Sequence, residues 1–285
     1  MNYQCCEQLT KMRLSVMRDE YRRQEELPAS MELSFDERFS MIVQAQYDNR
    51  KHNRAKNSLG KASLRESCAT LSELDFSPER NLSKRHIAQL AGMSWIKEGK
   101  GILITGATGT GKTFLLCAFA HDACNMGYTA RYYRLTELMQ IMAQSREPGK
   151  YAKVLAEMGK PDILILDEFG SRQYDNEFSS DLLEIMEERY HNQKSVLIGS
   201  QLPVRLWTDS FSNRDAAEGF MDRITNVCYR IELKGPSRRR RMSAEEIWGP
   251  DGRPPQNEGL NAPSNPSYDG TRTNDYEDNQ GINLE

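Results

Sequence analysis

The sequence predicts an α/β fold: a five-stranded parallel sheet interleaved with helices and preceded by a small all-helical region. Three observations predict it. Five short runs, residues 101–105, 129–134, 162–167, 195–200 and 227–233, alternate with stretches of good helix formers, and strands alternating with helices build parallel sheets through right-handed crossovers. The third run contains Ile163-Leu164-Ile165-Leu166, apolar without alternation, as a strand buried on both faces is. The first run opens onto Gly106-Ala107-Thr108-Gly109-Thr110-Gly111-Lys112-Thr113, which fits the pattern Gly, four residues, Gly-Lys and Ser or Thr, placed between a strand and a helix.

Taken in order, residues 1–68 read as a helical N-terminal domain. Leu9, Met12 and Val16 give one helix a narrow apolar stripe, broken at Leu27-Pro28-Ala29-Ser30. Ser34 and Glu37 form a capping box for a second helix, with Phe35, Phe39, Ile42, Val43 and Tyr47 expected on its buried face. That helix runs into Arg50, Lys51, Arg54, Lys56, Lys61 and Arg65 with no acid between them. Such a run is either a solvated helical face or a surface that tracks nucleic-acid phosphates. Residues 69–248 read as the sheet domain. Ser83 to Gly92 is a capped helix with a glycine stop, and Trp95 lies in the lead-in to the first strand. Gly127 stops the helix after the glycine loop, and a helix near 180–192 buries Leu182, Leu183 and Met186. Residues 249–285 combine Pro, Gly, Asn and Asp with little apolar surface and read as a disordered acidic tail.

With 285 residues the chain can bury a substantial core, and its net charge of −3 averages a basic segment near 49–65 with an acidic end. The six cysteines, at 5, 6, 68, 117, 124 and 228, form no Cys-x-x-Cys pair and no zinc spacing. Reduced thiols and a cytoplasmic location are expected. No signal-peptide core and no membrane-length apolar run is present.

The glycine loop implies a nucleoside triphosphate with Mg²⁺. Clustered phosphate charge is held best by backbone N–H groups converging from one concave turn. Gly106, Ala107, Thr108, Gly109, Thr110, Gly111, Lys112, Thr113 and Phe114 are the expected binding residues. Lys112 reaches the β- and γ-phosphates, and the Thr113 hydroxyl and Asp167 are the expected metal ligands. Glu168, next to Asp167 at a strand end, is placed to polarise the attacking water, and Gln201, at the end of the fourth strand, to orient it. Arg223 is the candidate to reach a neighbouring subunit's γ-phosphate; a surface ion pair is the alternative. Arg238-Arg239-Arg240-Arg241 is either a phosphate contact or a solvated charge run.

These motifs, with Leu33–Arg38, Leu90–Ile96, Leu164–Glu168, Asp181–Ile185, Ser200-Gln-Leu-Pro-Val204 and Arg230-Ile-Glu-Leu-Lys-Gly235, carry a resemblance over roughly residues 1–241. The chain resembles the IstB-like ATP-binding proteins, helper ATPases of insertion-sequence transposition related to DnaC-type helicase loaders within the AAA+ class. The resemblance implies an AAA+ P-loop core, ATP hydrolysis, binding to double-stranded DNA, a homo-oligomer with nucleotide at subunit interfaces, and a transposase partner. It also implies DNA contacts from Arg146, Lys150 and Lys153. A helicase loader would share the same site, whereas a small-molecule kinase would need an Arg-bearing lid, for which no segment is found. Two features depart from the family pattern: Glu168 stands where many members have a second Asp, and the tail beyond Trp248 has no counterpart.

Overall fold

The computed structural model describes residues 3–147 and 149–238. The N-terminal region begins with α1 (Tyr3–Lys11) and α2 (Ser15–Glu26), which meet at a corner where Arg13 takes a left-handed φ of 58°. The single helix expected through Leu9, Met12 and Val16 is therefore two. No Gly or Pro marks the corner, so a search for breakers passes over it. A 3₁₀ turn at Pro28–Glu32 leads to α3 (Phe35–Ala62). Its capping box forms as expected: the Glu37 N–H donates to Ser34 Oγ at 3.3 Å, and the Ser34 N–H donates to the Glu37 carboxylate at 2.8 Å. The Ser34 hydroxyl, donating to the Glu37 carboxylate at 2.8 Å, and then the Ser34 N–H hold the Glu37 carboxyl below its ordinary value.

The apolar face expected on α3 is not buried. Phe35 is 77% exposed; Phe39, Val43 and Tyr47 are also exposed, and Ile42 is half-buried. The helix packed along α3 is α2, and two buried amides tie the pair. Gln24 Nε2 donates to the Arg38 carbonyl at 3.1 Å, and Gln46 Oε1 accepts from the Met17 N–H at 3.4 Å. An apolar period shows that a helix has a face, but it does not supply the partner that would cover it.

The remaining elements follow in order: α4 (Lys84–Ala91), α5 (Ser94–Lys97), β1 (Gly101–Gly106), α6 (Lys112–Asn125), β2 (Ala130–Arg134), α7 (Leu135–Gln144), α8 (Tyr151–Gly159), β3 (Ile163–Phe169), α9 (Asn176–His191), β4 (Ser195–Ser200), α10 (Arg214–Thr225) and β5 (Cys228–Leu233). The five strands are parallel in the order β2-β3-β4-β1-β5. Alternate residues of each strand feed two cores. Ile102 and Ile104 of β1 and Ile163 and Ile165 of β3 pack with Leu115, Phe119 and Trp95 on one face. Leu103, Leu164, Leu166 and Ile198 pack with Leu138, Leu182 and Phe220 on the other. Every strand expected from sequence is present, and β3 runs two residues further than read, to Phe169.

All described residues fall within one compact unit, 1–239. Across the boundary expected at residue 68, α3 brings buried small residues, Ala55, Ser58 and Ala62, onto α6 and β2. The tail expected at 249–285, and Arg239–Arg241, lie outside the described residues. None of the six cysteines, all among the described residues, forms a disulfide. Burial pushes Cys117 and Cys124 up to about 11 and Cys228 up to about 12, so these thiols stay protonated and behave as small apolar groups. No helix among the described residues is long and apolar enough to cross a membrane.

One buried cation joins the layers at the back of the sheet. Arg189 of α9 is fully buried, and burial lowers it to about 9. Its Nη1 donates to the Met158 carbonyl at 2.6 Å, and its Nη2 to the carbonyls of Pro161 at 3.1 Å, Asp162 at 3.3 Å and Ser195 at 2.5 Å. One guanidinium thus gathers the end of α8 with the entries to β3 and β4. Arg189→Met should remove the side-chain donor these carbonyls share and cost about 3 kcal/mol, read as a lower denaturant midpoint. An unchanged midpoint would show that the four carbonyls do not depend on it.

Candidate functional site

The glycine loop links β1 to α6 and is shaped by what surrounds it. Gly106, Gly109 and Gly111 have φ of 149°, 83° and 95°, a range costly for side-chain-bearing residues. Space is equally restrictive: a Cβ at Gly106 would lie 2.3 Å from the Leu233 carbonyl oxygen, and one at Gly109 would lie 2.1 Å from Ser237 Oγ. Inside the loop, Thr110 Oγ1 and Lys112 Nζ each donate to the Ala107 carbonyl at 2.8 Å. Arg80, only 5% exposed, supports the loop from beneath, with Nη2 donating to the Thr110 carbonyl at 3.0 Å and Nη1 to the Asp75 carbonyl at 2.8 Å. Beyond β5 the chain returns to the loop, where the Arg238 N–H donates to the Gly109 carbonyl at 2.8 Å and the Arg238 guanidinium pairs with Asp75.

The facing wall is the carboxyl end of β3. Asp167 is 1% exposed. Its Oδ2 accepts from the Thr113 hydroxyl at 2.6 Å and the Tyr132 hydroxyl at 2.9 Å, and its Oδ1 accepts from the Glu168 N–H at 2.9 Å. Burial, followed by the charge of Asp167, raises the Tyr132 phenol, so it stays a donor. The β3–β4 register shifts between Leu166 and Phe169, and inside this bulge Glu168 adopts a φ of 62°. Bulges re-aim side chains next to functional sites, and here the irregularity puts Glu168 on the cleft wall. Gln201, just past β4, accepts at Oε1 from Thr108 Oγ1 at 2.8 Å.

Together these groups line a cleft of about 510 Å³, within the span usual for small-ligand sites. Its donor set fits the groups expected from sequence. The glycine cradle presents backbone where a Cβ would collide, and a hydroxyl and a carboxylate 2.6 Å apart offer hard oxygen ligands to one divalent cation.

The loop residues, Phe114, Asp167, Glu168 and Gln201 are thus brought together. Arg223 does not line this cleft: its Nη2 pairs with Glu187 at 2.6 Å and its Nη1 donates to the Gly219 carbonyl at 2.8 Å. Arg50, Lys51, Arg54, Lys56 and Lys61 are exposed along α3. Arg65 leaves that group and enters the cleft wall, its Nη1 lying 3.1 Å from Glu168 Oε1. Arg146 is held by Asp181 at 2.5 Å and Glu177 at 3.6 Å, Lys150 pairs with Glu147, and Lys153 is exposed. Sequence reading missed Tyr132, Arg80 and Gly199. Tyr132 reads as an ordinary strand aromatic and Arg80 as one charge in a connector. Gly199, inside an apolar strand, carried a usable signal, since a strand glycine marks close approach.

A family model described as IstB-like ATP binding protein matches residues 7–246. The chain is 36% identical over 196 residues to the insertion sequence IS1162 putative ATP-binding protein of Pseudomonas fluorescens, spanning 69% of this chain and 84% of that one. It is 33% identical over 211 residues to the putative insertion sequence ATP-binding protein y4pL of Sinorhizobium fredii, spanning 74% and 85%. Among solved structures, the crystal structure of DnaI superimposes with a TM-score of 0.50 at 24% identity, over 60% of this chain and 91% of that chain. That likeness concerns the fold alone.

A Cβ at Gly199 would lie 2.6 Å from Asp167 Oδ1 and 2.6 Å from Leu116 Cδ1. Gly199→Ala should therefore displace the Asp167 carboxylate and weaken binding of a fluorescent ATP analogue with magnesium by about tenfold or more, roughly 1.4 kcal/mol. Gly60→Ala, where a Cβ meets nothing within 4 Å, should leave that affinity unchanged. Equal affinities for the two variants would contradict the assigned role of Gly199.

Proposed function

Because the chain belongs to the IstB-like ATP binding protein family, we propose that it binds ATP with magnesium in this cleft, hydrolyses it, and through that cycle assembles as a homo-oligomer on double-stranded DNA to recruit or activate the transposase of an insertion sequence. The observation that carries the reading is the convergence of Lys112, Thr113, Asp167, Glu168 and Gln201 on one cleft of about 510 Å³. The loop N–H groups and Lys112 hold the β- and γ-phosphates. Thr113 and Asp167 would hold the magnesium, which would supply charge neutralisation to the phosphates. Glu168 accepts the proton of the attacking water, and Gln201 orients that water by its amide. Arg223 serves the γ-phosphate of a neighbouring subunit after exchanging Glu187 for it, a contact that stabilises transition-state charge.

The DNA face in this proposal is α3. From residue 50 to residue 61 it presents five exposed cations and no acid, an arrangement suited to a row of phosphates. Of the residues after β2, Lys153 is exposed, whereas Arg146 and Lys150 must first leave their carboxylates.

Glu168→Gln should bind ATP within about threefold of the parent and lose at least about tenfold in turnover, the order expected for a displaced general base. Normal turnover would remove Glu168 from its role. Affinity for duplex DNA should fall steeply with salt, and Lys51→Ala with Arg54→Ala should reduce the log–log slope by about 2. An unaltered slope would remove α3 from the DNA face. Co-purification of a transposase rather than a replicative helicase supports the transposition role, and the reverse would overturn it.

A further inference from the structure

The chain leaves α3 by a tight turn. Ser63 takes a left-handed φ of 53°, the conformation that ends helices. Arg131 of β2 clamps this end, its Nη1 donating to the Lys61 carbonyl at 2.6 Å and to Ser63 Oγ at 3.2 Å. Two residues later Arg65 lies over the sheet, with Nη1 3.1 Å from Glu168 Oε1. Its guanidinium also lies near enough to Tyr132, whose hydroxyl donates to Asp167, to interact with it electrostatically. A single arginine thus interacts with both the carboxylate read as the general base and the tyrosine that supports the metal-binding carboxylate, and it hangs from the same turn as Lys61.

We propose that Arg65 is a positioning residue that holds the Glu168 carboxylate in an ion pair, withholding it from the attacking water until DNA phosphates engage the end of α3 and draw Arg65 away. This deepens the function proposed above and rests on Glu168 as the base and α3 as the DNA face.

Three physical points carry it. A carboxylate oxygen held 3.1 Å from a guanidinium is directed at that partner and not at a water beside the γ-phosphate. The paired side chains are 35% and 37% exposed, so solvent screens the attraction and an incoming phosphate can compete for the arginine. Arg65 also lies only four residues from Lys61, so a displacement of the α3 terminus is transmitted to it through the clamped turn. A shared conformational element biased by both ligands is the requirement for coupling two sites.

The test is steady-state ATP turnover of the full chain with and without duplex DNA, alongside separate measurement of Kd for a slowly hydrolysed ATP analogue. Arg65→Ala should raise DNA-free kcat by about fivefold or more and bring the DNA stimulation ratio toward one, with Kd within about twofold of the parent. Arg65→Lys should keep the parent ratio, and Arg65→Gln should behave as the alanine variant does if that one fails to fold. Equal losses of turnover with and without DNA, unchanged turnover in both conditions, or a parent protein indifferent to DNA would each overturn the proposal. Combining Arg65→Ala with Glu168→Gln separates the two readings. A double variant as active as Arg65→Ala alone would sink the assignment of Glu168, whereas an inactive double variant beside an Arg65→Ala protein whose DNA-free kcat equals that of the parent would sink only the role of Arg65.

Discussion

A carboxylate that is 1% exposed is tolerable only where donors surround it, and the placing of Asp167 governs the centre of this molecule. Three donors reach it, from α6, β2 and its own strand: the Thr113 hydroxyl, the Tyr132 hydroxyl and the Glu168 N–H. The strand on its other side must then come close without a side chain, which accounts for Gly199. The parallel register makes the meeting possible. Leu166 lies opposite Ile198 and Tyr133 of β2, so the carboxyl ends of β1, β3 and β4 finish at one edge, where ligands bind in open α/β sheets.

Much of this was legible in the sequence because it rests on local pattern. Strand, glycine loop and helix follow one another within residues 101–125, and the apolar β3 announces burial on both faces without reference to the rest of the chain. What was not legible depends on partners distant in sequence. Nothing local distinguishes Tyr132 from Tyr133, yet one hydroxyl meets Asp167 and the other ring sits beneath the Arg131 guanidinium. Arg65 reads as the last cation of a basic run, and only the turn at Ser63 sends it to Glu168. Arg223 reads either as a contact to a neighbouring subunit's phosphate or as a surface ion pair, and Arg146 as a DNA contact; the carboxylates that pair with them come from α9.

The N-terminal helices show the same division. The Ser34–Glu37 cap is a four-residue device and was read correctly. The aromatic stripe of α3 was assigned to a buried face because periodicity normally implies one, yet Phe35 and Tyr47 are among the most exposed large apolar residues of the described chain. Further along, the same helix exchanges aromatics for Ala55, Ser58 and Ala62, small enough for close approach to α6 and β2. One helix therefore joins an outward-facing apolar stripe, a basic face and a foot on the sheet domain.

The central claim is that one Mg–ATP is held between the glycine loop and the Asp167 wall. Isothermal titration calorimetry of the full chain and of Lys112→Ala with Mg–ATP tests it most directly. The account predicts saturable heat at one site per chain for the parent and none for the variant. No heat from the parent, or equal affinity in the variant, would contradict it.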